Sequence, residues 1–276
     1  HGGLRYLEQK EFRLVREALA EREVLLAKAP HIIRPMCFIM PHRPHLRPAW
    51  LIRTGLFFYD HLGKRKKLSG SNNVYFKADS PLNAAITRGF EYSDCAVDDA
   101  RLVVLNAMHA REKGAEIMTR TRCVSARREG SLWVVDLENV NGQFQIKAKA
   151  LVNAAGPWVA KFIQQDLQLQ SPYGIRLIQG SHIIVPKLYD GEKAFIMQND
   201  DRRIVFAIPY LDHYTMIGTT DREYQGDPAQ VEITQDEIDY LLKVSNAHFK
   251  QQLSQADIIS TFSGVRPLCD DESDNP

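Results

Sequence analysis

The chain has 276 residues, 44% apolar and 25% charged, the balance of a globular protein large enough for one big domain or two smaller ones. Its formal charge of +1 gives no electrostatic case for nucleic acid, and no run of about 18 apolar residues is present to cross a bilayer as a helix. Cys37, Cys95, Cys123 and Cys269 form no CxxC pair and the nine histidines no HxxxH or HExxH, so neither a metal site nor a disulfide scaffold is expected and a reducing compartment fits.

The chain opens on HGGLRYLE, without an initiator Met, and closes on VRPLCDDESDNP; both ends predict a piece of a longer protein. Residues 8–28 predict an amphipathic helix with Phe12, Val15, Leu19 and Leu26 near one face. HIIRPMCFIMPH is a β-type run between prolines, and a second helix is expected from Pro48 to a break at Gly63. Residues 69–89 are expected as a loop with a short helical turn. DDARLVVLNAMHAREKGA predicts a helix capped by Asp98 or Asp99 and stopped by Gly114. From Ala115 the period becomes two. EIMTRTRCVSARREG, SLWVVDLENV and FQIKAKALVNAA predict consecutive strands with turns at Gly130 and Asn141-Gly142. IRLIQGSHIIVP, KAFIMQ, RIVFAIPYL and TMIGTTD form a second β-block. Thr234 followed by Glu237 marks a capping box for a helix, and DIISTFSGVRPL is a last strand running into a turn. There is no repeat, low-complexity tract or linker, so the elements are expected to form intermixed lobes.

Two segments carry more than fold information. In LVNAAGPW a strand runs into two alanines, a glycine and a proline, then a helical stretch. Small residues there let a flat or charged group approach the backbone, although a tight turn that only solves a packing problem reads the same way. Between His42 and Lys67, a basic rim (Arg43, Arg47, Arg53, Lys64, Arg65, Lys66, Lys67) borders an apolar side (Trp50, Leu51, Leu56, Phe57, Phe58). Such a helix can lie in a membrane interface; a buried helix with a solvated basic end is the alternative.

Taken together, HGGLRYLE, PHRPHLRPAWLIRTGLFFYDHLGKR, EYSDCAVDDARLV, LVNAAGPW, YGIRLIQGSHIIVP, IGTTDREYQGDP and SGVRPLCDDESD resemble, in order, the FAD-dependent, quinone-linked (aerobic) glycerol-3-phosphate dehydrogenases. The GxGxxG unit that opens those enzymes, and a later Gly-Gly-Lys-rich segment, do not occur in this sequence. The resemblance implies an α+β fold: the mixed-sheet substrate-binding region of a glutathione-reductase/D-amino-acid-oxidase-like flavoprotein, with flanking helices. It implies that residues 1–170 belong to the FAD-binding domain with inserted helices, 171–262 to the substrate-binding cap sheet, and 263–276 to the return toward the FAD-binding domain. The implied reaction of the intact enzyme is oxidation of sn-glycerol 3-phosphate to dihydroxyacetone phosphate, with a hydride passed to FAD and electrons to quinone.

The same resemblance implies the site residues. Gly2, Gly3, Leu4, Cys123, Val124, Ala154, Ala155 and Gly156 would border FAD. Arg5, Tyr6, His182 and Arg266 would form the substrate pocket and its chemistry. Arginine offers a phosphate two parallel donors, and His182 is the expected base; read alone, these are surface or packing arginines and a core histidine. Trp50, Arg53, Phe57, Phe58, Lys64, Arg65, Lys66 and Lys67 would contact membrane, giving a cytoplasmic protein held on the inner face of the cell membrane, with a homodimer left open. The acidic run Asp270, Asp271, Glu272 and Asp274 reads as a solvated loop with no metal. The alternatives are a glycerophosphate oxidase using oxygen, an amine or amino-acid oxidase, or a non-catalytic membrane-binding fragment.

Overall fold

The structure, a computed structural model, describes residues 4–7, 11–170 and 174–270. A 3-10 turn at Leu4–Leu7 precedes α1 (Phe12–Lys28), β1 (Ile33–Pro41), α2 (Ala49–His61), β2 (Asn72–Tyr75), β3 (Arg88–Val97) and α3 (Asp99–Glu112). There follow β4 (Arg122–Glu129), β5 (Leu132–Asn139), β6 (Gly142–Ala148) and single helical turns from Gly156 through α4 (Val159–Lys161) to Asp166. The rest is β7 (Gly174–Pro186), β8 (Ala194–Gln198), β9 (Ile204–Tyr210), β10 (Tyr214–Gly218), β11 (Arg222–Glu223), α5 (Gln235–His248) and β12 (Ser260–Asp270). The architecture is α+β, a mixed sheet with flanking helices, and divides into two compact units.

The first unit contains the described residues up to Leu105 together with 181–220 and 233–262. Its strands lie in the order β2-β3-β1-β8-β9-β10-β7. Only the β1–β8 pair in this series, Phe38 beside Ala194, is parallel. Alternation along the strands feeds two cores. Phe38, Met40, Ala194 and Ile196 pack with Val15, Leu19, Ile52, Leu56 and Tyr59 of α1 and α2. Ile39, Phe195, Met197 and Ile183 pack with Leu241 and Val244 of α5 and with Phe249. Because both faces are covered, the central strand β8 is buried from Ala194 through Met197 and its sequence is a continuous apolar run.

Helices α1 and α2 are also tied by a buried polar cluster. Arg22 donates to Tyr59 Oη (2.9 Å), to the Ser93 carbonyl (3.2 Å) and to Asp94 Oδ1 (3.3 Å), and Tyr59 donates to Asp94 Oδ2 (3.2 Å). Burial, then the Asp94 charge, push the Tyr59 phenol far above its ordinary range, so it remains a neutral donor.

The second unit contains Asn106–Gly180, Asp221–Glu232 and the described residues from Ser263. Strands β4, β5 and β6 form an antiparallel meander around Ala126, Val135 and Leu137. Its turns use Gly130 at φ 61° and Gly142 at φ 119°, a region that favours glycine. The first half of β7 pairs with β11, Gln179 opposite Arg222.

Three expectations change. The stretch expected as a loop over 69–89 contains β2, and the chain from Arg88 forms β3, the long partner of β1. The strand expected through Ala155 ends its ladder at Ala148, because β5 offers that residue Trp133, the second residue of β5, as its last partner. Arg266, expected where a strand passes into a turn, lies inside β12, which continues to Asp270.

Candidate active site

In the first unit, β7 turns Ser181, Ile183 and Val185 into the core and leaves His182 half-buried on the opposite side. The imidazole lies flat against Phe262, centroids 4.6 Å apart and planes 3° from parallel. Its Nδ1 is buried and has no hydrogen-bond partner among the described residues. Burial pulls the imidazole pKa below the ordinary value, which keeps the ring neutral and able to accept a proton. Opposite His182 in the ladder stands Gly218 of β10.

At one end of that pair, both chains are anchored by one carboxylate. Ser181 Oγ and Thr220 Oγ1 donate to Glu237 Oε1 at 2.8 and 2.6 Å, and the Ser181 N–H donates to Thr220 Oγ1 at 2.9 Å. Glu237 also closes the capping box of α5, accepting from the Thr234 N–H and Oγ1 at 2.9 and 3.0 Å. Burial pushes the Glu237 carboxyl up, but the bonds from Thr220, Thr234 and Ser181 outweigh it and hold it below the ordinary value.

Leu4, Arg5 and Tyr6 share the 3-10 turn of the first unit. Leu4 packs on the core beneath α1 and α2, and Tyr6 is 37% exposed. Gly2 and Gly3 lie outside the described residues, as do Asp271, Glu272 and Asp274 and the side chains of Arg5 and Asp270. Of the four expected pocket residues, Arg5, Tyr6 and His182 belong to the first unit and Arg266 to the second.

In the second unit, Arg266 donates through Nη2 to Asp221 Oδ1 at 2.7 Å, an ion pair whose arginine is 53% exposed. Val124 sits at a β-bulge between Cys123 and Ser125, and bulges re-aim a strand beside functional sites. The Cys123 thiol donates to the Ser125 carbonyl, and burial, then Asp166 and Asp136, raise its pKa, so it is no reactive thiolate. Asn153 shapes the turn after β6: its Oδ1 accepts from the Ala155 N–H (3.2 Å) and its Nδ2 donates to the Val159 carbonyl (3.0 Å). Gly156 has φ 54°, and a Cβ there would meet no atom within 4 Å. Val152 is 84% exposed and Ala154 is exposed beside it. An open, small-residue backbone edge fits one wall of a flat cofactor such as FAD. Among the described residues no group of three His, Cys, Asp or Glu side chains could hold a metal ion.

Helix α2 buries Ile52, Leu56 and Tyr59 and exposes Trp50, Leu51, Phe57 and Phe58. Phe58 meets Phe12 of α1 at 6.4 Å and Phe57 at 6.1 Å, so these three rings form one patch. Lys64, Lys66 and Lys67 are exposed beyond its C-terminus. Arg53 and Arg65 are used internally. Arg53 donates to Ser71 Oγ at 2.8 Å, and Arg65 is paired with Asp60, both side chains largely buried. No helix among the described residues is long and apolar enough to cross a membrane.

Sequence reasoning did not find Phe262, Gly218, Glu237 or Asp221 as parts of these arrangements. The capping box marked Glu237, but only for its helix.

The model of the family of FAD dependent oxidoreductases matches residues 1–276. The chain is 74% identical over 277 residues to a glycerol-3-phosphate dehydrogenase of Pseudomonas aeruginosa, covering 100% of this chain and 54% of that protein. It is 54% identical over 281 residues to a D-erythritol 1-phosphate dehydrogenase of Brucella abortus, covering 100% of this chain and 56% of that protein. Among solved structures it resembles the glycerol-3-phosphate dehydrogenase from Bacillus halodurans complexed with FAD, with TM-score 0.72 and 26% identity over 92% of this chain and 48% of that one. The chain thus spans about half the length of the curated relatives it matches. It belongs to the family of FAD dependent oxidoreductases.

Proposed function

We propose that the full-length protein carrying this chain oxidises sn-glycerol 3-phosphate to dihydroxyacetone phosphate. The observation that carries the reading is the neutral, half-buried His182 imidazole held flat on Phe262, in a chain 74% identical to a glycerol-3-phosphate dehydrogenase. FAD, when bound, would supply the acceptor for the hydride, with its two electrons, that leaves C2 of the substrate. His182 accepts the proton of the C2 hydroxyl, so that the C–H and O–H bonds break and one C=O bond forms. Arg266 recognises the phosphate, with Asp221 orienting its fork; Arg5 and Tyr6 keep the substrate-recognition role that the resemblance implies. Cys123, Val124 and Ala154–Gly156 of the second unit are the proposed flavin wall. Electrons leave to quinone at the cytoplasmic face of the membrane, where the rings of Trp50, Phe57 and Phe58 and the charges of Lys64, Lys66 and Lys67 meet lipid.

The relative named for D-erythritol 1-phosphate supports a second substrate, a four-carbon polyol phosphate bound through the same terminal group. The test is a kinetic comparison in the full-length protein. His182→Ala should lower kcat by about 10² to 10⁴. Arg266→Ala should raise KM for the phosphorylated substrate about ten- to a hundredfold, the scale of a charge-assisted hydrogen bond of roughly 1.5–3 kcal/mol, and leave unphosphorylated glycerol little affected. Turnover within about threefold of the parent in His182→Ala, on the same scale, would remove it as base.

A further inference from the structure

We propose that Gly218 is a positioning residue for His182: its missing side chain is the space in which the imidazole sits. The proposal rests on the reading of His182 as the base. In the ladder between β10 and β7, Gly218 stands directly opposite His182. A Cβ built on Gly218 would lie 2.2 Å from His182 Cδ2, 2.6 Å from Cγ and 2.8 Å from Nε2. Carbon atoms pack at about 3.5–4.0 Å, so no side chain fits there unless the ring moves by about 1 Å or more. The φ of Gly218 lies outside the left-handed range that favours glycine, and the three atoms nearest to the built Cβ all belong to the His182 ring. The ring is what excludes a side chain at this position.

The ring has little freedom to yield in place. Phe262 lies parallel to it at 4.6 Å. At one end of the pair, Ser181 before His182 and Thr220 two residues after Gly218 are both bonded to the buried Glu237 carboxylate. Those bonds oppose spreading of the two chains at that end of the pair to admit a methyl group. Displacement has to occur at the imidazole, by rotation off Phe262 and away from its packed site. A shift of about 1 Å in a catalytic group costs about 10²-fold in rate.

The experiment is a double-mutant cycle between Gly218→Ala and His182→Ala in the full-length protein, read by kcat, KM, the pH profile and thermal stability. Alone, Gly218→Ala should lower kcat by at least tenfold with KM within threefold, on that scale. The apparent pKa of the acid limb should rise toward that of free histidine as the ring leaves its buried site. In the His182→Ala background the added methyl finds the space vacated by the ring, so Gly218→Ala should then cost almost nothing further in rate or melting temperature. Equal losses of both in the two backgrounds would overturn the proposal, because glycine would then be needed for something other than the imidazole. The stability arm separates the two readings. If His182→Ala keeps its turnover, the base assignment fails, while coupling in melting temperature still decides whether Gly218 makes room for the ring.

Discussion

Glu237 shows how one buried side chain can serve both folding and a site. It caps α5 through Thr234 and at the same time accepts from Ser181 and Thr220 beside His182. Its folded-state pKa lies below the ordinary 4.5. The unfolded chain therefore binds the proton more readily, and the stabilisation is complete above the unfolded value and lost as pH falls through the folded one. Glu237→Gln should cost about 1.5–3 kcal/mol at pH 7, the range for hydrogen bonds to a charged group. The difference should shrink as pH falls through the carboxylate range. Urea unfolding of parent and variant at pH 7 and at progressively lower pH measures it; a pH-independent difference would assign the effect to shape instead of charge. The role beside His182 could not be read from the sequence, because it depends on which strands are neighbours. Thr234 and Glu237 are local partners three residues apart, whereas Glu237 and Ser181 meet only after α5 has packed on β7.

At the scale of elements, period and caps made α1, α3 and α5 legible, and the turns at Gly130 and Gly142 fixed the meander. The strand β3 escaped because its alternation carries charge inward. Asp94 is 1% exposed, and its burial makes sense only with Arg22 from α1 and Tyr59 from α2 beside it. The basic end of α2 was legible as composition but not as geometry. Arg65 turns inward to Asp60, leaving Lys64, Lys66 and Lys67 as the outward cations. Reversing those three lysines to glutamate in the full-length protein should therefore release it from anionic vesicles. Each basic residue near such a surface contributes about 1 kcal/mol, so the partition coefficient should fall by about 10² or more. Activity with a soluble dye acceptor should remain. Undiminished vesicle binding would show that the aromatic patch of Phe12, Phe57 and Phe58 is not a lipid contact assisted by charge.

For the molecule as a whole, the family is clear from the match over residues 1–276, and the candidate site residues are distributed over the two units. His182, Gly218 and Phe262 belong to one unit; Arg266, the bulge at Val124 and the small-residue edge through Gly156 belong to the other. The sequence proposed His182 and Arg266 through resemblance, while their neighbours in the structure, Phe262 and Asp221, emerged only from cross-strand and loop neighbours. The central claim is the proposal that the full-length protein oxidises a phosphorylated polyol, and anaerobic flavin absorbance of the full-length, FAD-loaded protein tests it most directly. sn-Glycerol 3-phosphate should bleach the oxidised flavin band, unphosphorylated glycerol should not at equal concentration, and His182→Ala should slow the bleaching by about 10² or more. A flavin left oxidised by phosphorylated polyols, but reduced by an amine or amino acid, would contradict it.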